Sequence, residues 1–175
     1  RVLFRSWLAG LMRSSTLPAR GVAIETATLG GVPGEWLTQH DKHNTPTSSP
    51  GTILYLHGGA YCIGSPATHR ALTSRLCKKT NLPMFSLDYR LAPEHPFPAA
   101  LEDALAAYHA LCSQGPVFLA GDSAGGGLAL ATTLVLRATG TPLPAALLLI
   151  SPWVDMSEED DHNTTTPNDP MLTRS

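Results

Sequence analysis

Between residues 52 and 150, short apolar runs alternate with longer stretches of helical periodicity, and this order leaves the chain few folds to choose from. The runs are Thr52–Leu56, Met84–Tyr89, Val117–Ala120 and Ala145–Ile150. Each is too short for a helix and lacks polar alternation, so each reads as a strand covered on both faces. Between them, Thr68–Lys79, Ala99–Leu111 and Ser123–Ala138 carry helical spacing with few breakers. Strands alternating with helices predict an α/β fold: a mostly parallel central sheet with helices on both faces.

Upstream the pattern differs. Val22, Ile24, Thr26 and Thr28 alternate with smaller residues and Gly30–Gly31 follow, so a strand, a tight turn and a partner strand over Glu35–Gln39 are expected. Residues 41–51 are polar and rich in Pro and Ser, as a loop is. Phe4, Trp7, Leu8, Leu11 and Met12 recur at helical spacing, which predicts an amphipathic helix over residues 2–13. The expected organisation is a helical segment at 1–18 and a core from 19 to 175.

Hydrophobic residues make up 43% of the chain and charged residues 15%, enough apolar material for a sizeable core. A net charge of −2 gives no electrostatic footprint for nucleic acid or an anionic membrane. Arg5 interrupts the first apolar run after three residues, so a signal core is not expected, and no stretch is long enough for stable membrane insertion. Cys62, Cys77 and Cys112 contain no CxxC pair, which argues against a disulfide framework or a zinc site and suits reduced thiols in a cytoplasmic protein. No metal or cofactor is expected. Gly125-Gly126-Gly127-Leu128 does not make a dinucleotide fingerprint, and no lysine follows as a phosphate-binding loop requires.

Gly121-Asp122-Ser123-Ala124-Gly125 fits G-x-S-x-G and lies between a buried run and a helix, the context that motif needs. Gly121, Asp122 and Gly125 would form a sharp strand-to-helix elbow that presents Ser123 as a nucleophile at the positive end of a helix. The plainer alternative is a glycine-rich helix start with an N-cap serine. His57-Gly58-Gly59-Ala60 follows the Thr52–Leu56 run. Acyl transfer builds a negatively charged oxygen that fixed backbone N–H groups must meet. Gly58, Gly59 and Ala124 are the expected donors, with His57 holding the loop's shape; alone, the pair would read as an ordinary Gly-Gly turn.

LHGGAYCIGSP (56–66), DYRLAPEHPFPAALEDALAAY (88–108) and GDSAGGGLAL (121–130), in this order, resemble the hormone-sensitive lipase family of serine carboxylesterases. SPWVDMS (151–157) and NDPML (168–172) are similar to the stretches that follow in that family. The resemblance implies an α/β-hydrolase fold, Ser123 as nucleophile, Gly58, Gly59 and Ala124 at the oxyanion, and the first helix as part of a cap. Ala60 stands where many members have a third glycine; its backbone N–H survives the change. The implied partner is a small-molecule ester of short to medium acyl chain, with no cofactor and a homo-oligomer left open. Arg90, Glu94, Pro93, Pro96 and Pro98 read as a rigid structural loop.

A serine nucleophile needs a base and an acid, in this fold in the order Ser, Asp or Glu, His. His162 is the only histidine after Ser123. Asp155 and His162 could be offered as the pair, but they share one polar stretch with Glu158, Glu159, Asp160 and Asp161, whereas the fold takes its acid and base from separate later strands. A solvated acidic loop is the better reading. The family carries both groups on further strands, so the chain is expected to be a fragment lacking them and nearly inactive by itself. The alternative is a non-catalytic relative that binds a small ligand.

Overall fold

The computed structural model describes residues 17–39 and 49–155. The helix expected over 2–13, most of the 41–51 loop, His162 and the 168–172 segment lie outside the described residues.

The alternating residues near the start form a hairpin of β1 (Val22–Leu29) and β2 (Val32–Gln39), closed at Gly30–Gly31 with Leu29 opposite Val32. The apolar runs form β3 (Thr52–Leu56), β4 (Met84–Leu87), β5 (Val117–Asp122) and β6 (Ala146–Ile150). Together they make one six-stranded sheet in the order β1-β2-β4-β3-β5-β6. The hairpin joins antiparallel, while β4, β3, β5 and β6 run parallel. β5 continues two residues past the expected run, so Gly121 and Asp122 of the serine motif are themselves strand residues.

Three helices cross between the parallel strands: α1 (Pro66–Thr80), α2 (Ala99–Cys112) and α3 (Ala124–Ala138). The first begins where Pro66 has no N–H to lose and Thr68 Oγ1 accepts the Ser65 N–H at 3.0 Å. It ends where Asn81 turns left-handed and its N–H meets the Cys77 carbonyl at 3.0 Å. Strand periodicity divides the core in two. Leu54, Leu56, Phe85, Leu87 and Leu119 face α2 and α3, whereas Ile53, Tyr55, Met84 and Ala120 face Cys77 on α1. Helices therefore cover both faces.

The run in β6 differs from the others, because Leu147 and Leu148 are 38% and 45% exposed among the described residues. The 88–98 loop is fastened to α2: Arg90 donates its backbone N–H to Asp103 Oδ2 at 2.8 Å, and its guanidinium lies 2.8 Å from Asp103 Oδ1. Among the described residues no helix is long and apolar enough to cross a membrane.

Candidate active site

Parallel strands bring their C-terminal ends to one edge, so the loop after β3 and the turn after β5 must meet there. β3 is hydrogen-bonded to β5 with Leu56 opposite Gly121. The next residues on each side are His57-Gly58-Gly59-Ala60 and Asp122-Ser123-Ala124.

Ser123 is exposed and has φ 51° and ψ −120°, a left-handed conformation that side-chain-bearing residues rarely adopt. Three backbone bonds hold it there. Its N–H donates to the Ile150 carbonyl at 2.9 Å, and its carbonyl accepts the N–H groups of Trp153 at 2.9 Å and Gly127 at 3.1 Å. The turn is tight because Gly125 rests on β3; a Cβ there would collide with the Leu56 and His57 carbonyl oxygens. No described side chain hydrogen-bonds the Ser123 hydroxyl. It is presented to solvent at the start of α3.

Asp122 ties the elbow to the neighbouring loop. Its Oδ1 accepts the Tyr55 hydroxyl at 2.6 Å and the Gly58 N–H at 2.9 Å, and its Oδ2 faces His69 Nε2 at 3.5 Å. Burial alone would raise its pKa, but the His69 and Tyr55 contacts and the Gly58 N–H outweigh it and hold the carboxyl below its usual range. The same carboxylate and burial push the Tyr55 phenol up, burial contributing most.

His57 is fully buried. Its ring stacks on Tyr89 at 4.3 Å and 15°, its Nδ1 lies 2.8 Å from the Gly58 carbonyl, and its own carbonyl accepts the Tyr89 hydroxyl at 2.6 Å. Burial lowers its pKa to about 4, against a smaller upward pull from the Gly58 carbonyl. It is therefore neutral at pH 7, and since a carbonyl can only accept, the proton sits on Nδ1. Beyond it, Gly59, Ala60 and Tyr61 have φ of 125°, 52° and 57° in succession. This run turns the loop back on itself, with the Cys62 and Ile63 N–H groups closing on the Gly59 carbonyl. The N–H groups of Gly59 and Ala60 donate to no other described residue.

Of the three expected donors, Gly58 differs from the expectation. Its N–H is already committed to Asp122, which lies beneath the loop on the elbow. The structure otherwise brings His57, Gly59, Gly121, Asp122, Ser123, Ala124 and Gly125 to one place. Tyr55, Tyr89 and His69 were not singled out from sequence, and nothing in their local spacing marks them. Next to the elbow, an apolar cavity of about 570 Å³ opens between α2 and α3, lined by Tyr61, Phe97, Leu101, Leu128, Leu134 and Trp153.

A sequence profile described as the alpha/beta hydrolase fold matches residues 53–175. This chain belongs to the α/β-hydrolase fold family. Within it the chain lies among hormone-sensitive-lipase-type proteins. It is 48% identical to an acetyl-hydrolase of Streptomyces hygroscopicus over 81% of this chain and 46% of that protein. It is 36% identical to the putative acetyl-hydrolase LipR of Mycobacterium tuberculosis, over 96% of this chain and 54% of the relative. Among solved structures, the hormone-sensitive-lipase homologue EstE7 from a metagenome library superposes with a TM-score of 0.79 at 42% identity, covering 87% of this chain and 51% of that one. The chain thus spans about half the length of the curated relatives it matches.

Proposed function

We propose that this α/β-hydrolase cleaves carboxylic esters through an acyl-enzyme formed on Ser123. The observation that carries the reading is the pairing at one sheet edge of an exposed serine on a strained elbow with a loop whose Gly59 and Ala60 N–H groups donate to no described residue. Ser123 Oγ attacks the ester carbonyl, and the tetrahedral oxygen is met by the N–H groups of Gly59, Ala60 and Ala124. Gly58 moves from donor to anchor, because its N–H is spent on Asp122. His57 is a positioning residue: neutral, buried, stacked on Tyr89 and with its Nδ1 on the Gly58 carbonyl, it braces the loop. The base belongs after the nucleophile in the chain order of this fold. The names of two relatives, an acetyl-hydrolase and a putative acetyl-hydrolase, support a small acyl group as the one transferred here, and water releases it in the second half-reaction.

The test uses the full-length protein with p-nitrophenyl acetate and a fluorophosphonate probe. Wild type should turn over the ester and be labelled at Ser123. Ser123→Ala should lose the label and at least about 10³-fold in kcat. Turnover retained in Ser123→Ala would overturn the assignment. Saturable ligand binding by a wild type that neither turns over nor takes the probe would favour the ligand-binding alternative.

A further inference from the structure

We propose that His69, in the first turn of α1, is a positioning residue for the oxyanion loop, acting through the Asp122 carboxylate. The inference rests on the ester-hydrolase reading and extends it to a residue on the opposite face of the sheet from α3.

The geometry is directional. One nitrogen of the His69 ring is held by its own helix start: Nδ1 lies 2.9 Å from Thr68 Oγ1 and 3.2 Å from the Ser65 carbonyl. The ring is flanked by His57 and Tyr55, with centroids 5.4 and 6.5 Å away. That fixes Nε2, whose polar neighbour among the described residues is Asp122 Oδ2 at 3.5 Å. Nε2 faces a carboxylate oxygen, which can only accept, so the contact calls for a proton on Nε2. The Thr68 hydroxyl lies within reach of both Nδ1 and the Ser65 carbonyl, which it meets at 2.8 Å, and so holds the other edge of the ring.

This matters because Asp122 Oδ1 carries the Gly58 N–H. A carboxylate free to rotate about its last torsion would swing that anchor, and Gly59 and Ala60 follow directly. Both histidine and tyrosine lie far from Ser123 in sequence, yet they converge on Asp122, whose carboxylate joins the elbow to the loop. The contact is only partly buried, with side-chain exposures of 13% for His69 and 21% for Asp122, so its effect is on orientation more than on global stability.

The experiment compares His69→Ala, His69→Gln and His69→Asn in the full-length protein, by hydrogen-exchange mass spectrometry of the 53–64 and 66–80 peptides and by kcat and KM on p-nitrophenyl acetate. A glutamine amide reaches the Nε2 position; an asparagine amide reaches only Nδ1. His69→Ala and His69→Asn should speed exchange in the loop peptide about tenfold, leave the α1 peptide protected, and lower kcat about tenfold at nearly constant KM. His69→Gln should recover both. Wild-type loop exchange in His69→Asn overturns the proposal. So does loss of α1 protection together with the loop, which would mark a packing role, and so does failure of glutamine to rescue. If His69→Ala does not fold, the Gln and Asn pair carries the same decision. A wild type without turnover would sink the ester-hydrolase reading, and the exchange data would still decide the positioning role.

Discussion

Gly30–Gly31 and Gly58–Gly59 are both glycine pairs at the end of a strand, and they behave differently. The first closes the β1–β2 hairpin with φ of 60° and 85°, the left-handed pair that a two-residue turn demands. Its flanking residues Leu29 and Val32 pair across the ladder, so the turn is held by the strands it joins. The second begins a loop with no ladder beyond it. Three successive positive φ values, two at non-glycine residues, are held instead by Tyr89, Asp122 and the buried His57 ring. A glycine pair is thus a turn where its neighbours consume their own hydrogen bonds, and a candidate site where outside groups fix the backbone and leave N–H groups free.

The largest effect should come from Gly59→Ala. Its φ of 125° is hostile to a side chain, and the new Cβ would collide with the Ile63 carbonyl. The loop must open, which would displace both N–H groups proposed as donors, those of Gly59 and Ala60. We expect a loss of about 10³-fold in kcat on p-nitrophenyl acetate and a matching slowing of probe labelling at Ser123. Activity within a few fold of wild type would mean that the loop N–H groups are not the oxyanion donors.

The next effect is on pH. His57 has a folded pKa of about 4 against about 6.5 unfolded. Between those values the unfolded chain takes up a proton that the folded one refuses, so stability falls as pH drops through that window and is flat above it. The size is at most about 3 kcal/mol. Urea midpoints from pH 4 to 7.5 measure it, and His57→Gln should flatten the slope; an unchanged slope would assign it to another group. The hairpin glycines have no such titrating brace, so a substitution there should leave the pH profile unaltered.

Much of this was readable in the sequence, for a local reason. The 52–56, 84–89 and 117–120 runs and the helices between them are short-range patterns, and the observed elements match them within a few residues. GDSAG and HGG are also local. What escaped is what strand order brings together. Nothing in the apolar runs says that β3 lies between β4 and β5, yet that order puts Tyr89 behind His57 and Asp122 under Gly58. Gly58 was therefore expected to donate to substrate, because the acceptor that claims its N–H sits on a different strand. β6 shows the same limit from the other side: Ala145–Ile150 reads like the buried runs, but burial depends on what packs against it.

Gly58→Ala should cost less than Gly59→Ala. Its φ is not left-handed, and the added Cβ would press chiefly on the Asp122 carboxylate, forcing it off its Tyr55 and His69 partners, and would meet the Asp122 backbone carbonyl only at 3.0 Å. Moving that carboxylate loosens the anchor without opening the loop, so about a tenfold fall in kcat with a small change in melting temperature is expected. A loss as large as that of Gly59→Ala would return Gly58 to the role of a direct donor.

Gly31→Ala should be the mildest, and it is the control that gives the comparison its force. A Cβ at Gly31 meets nothing within 4 Å, so only the φ of 85° is penalised, at about 1–2 kcal/mol. Gly30 has the same sign of φ, but its Cβ would strike the Ala106 carbonyl on α2, so Gly30→Ala should lower the melting temperature further. Neither residue touches the elbow, and kcat should stay at the wild-type value in both. If Gly31→Ala depressed kcat as much as Gly58→Ala, strain would be passing through the sheet, and the loop could not be treated as a unit fixed by its own braces.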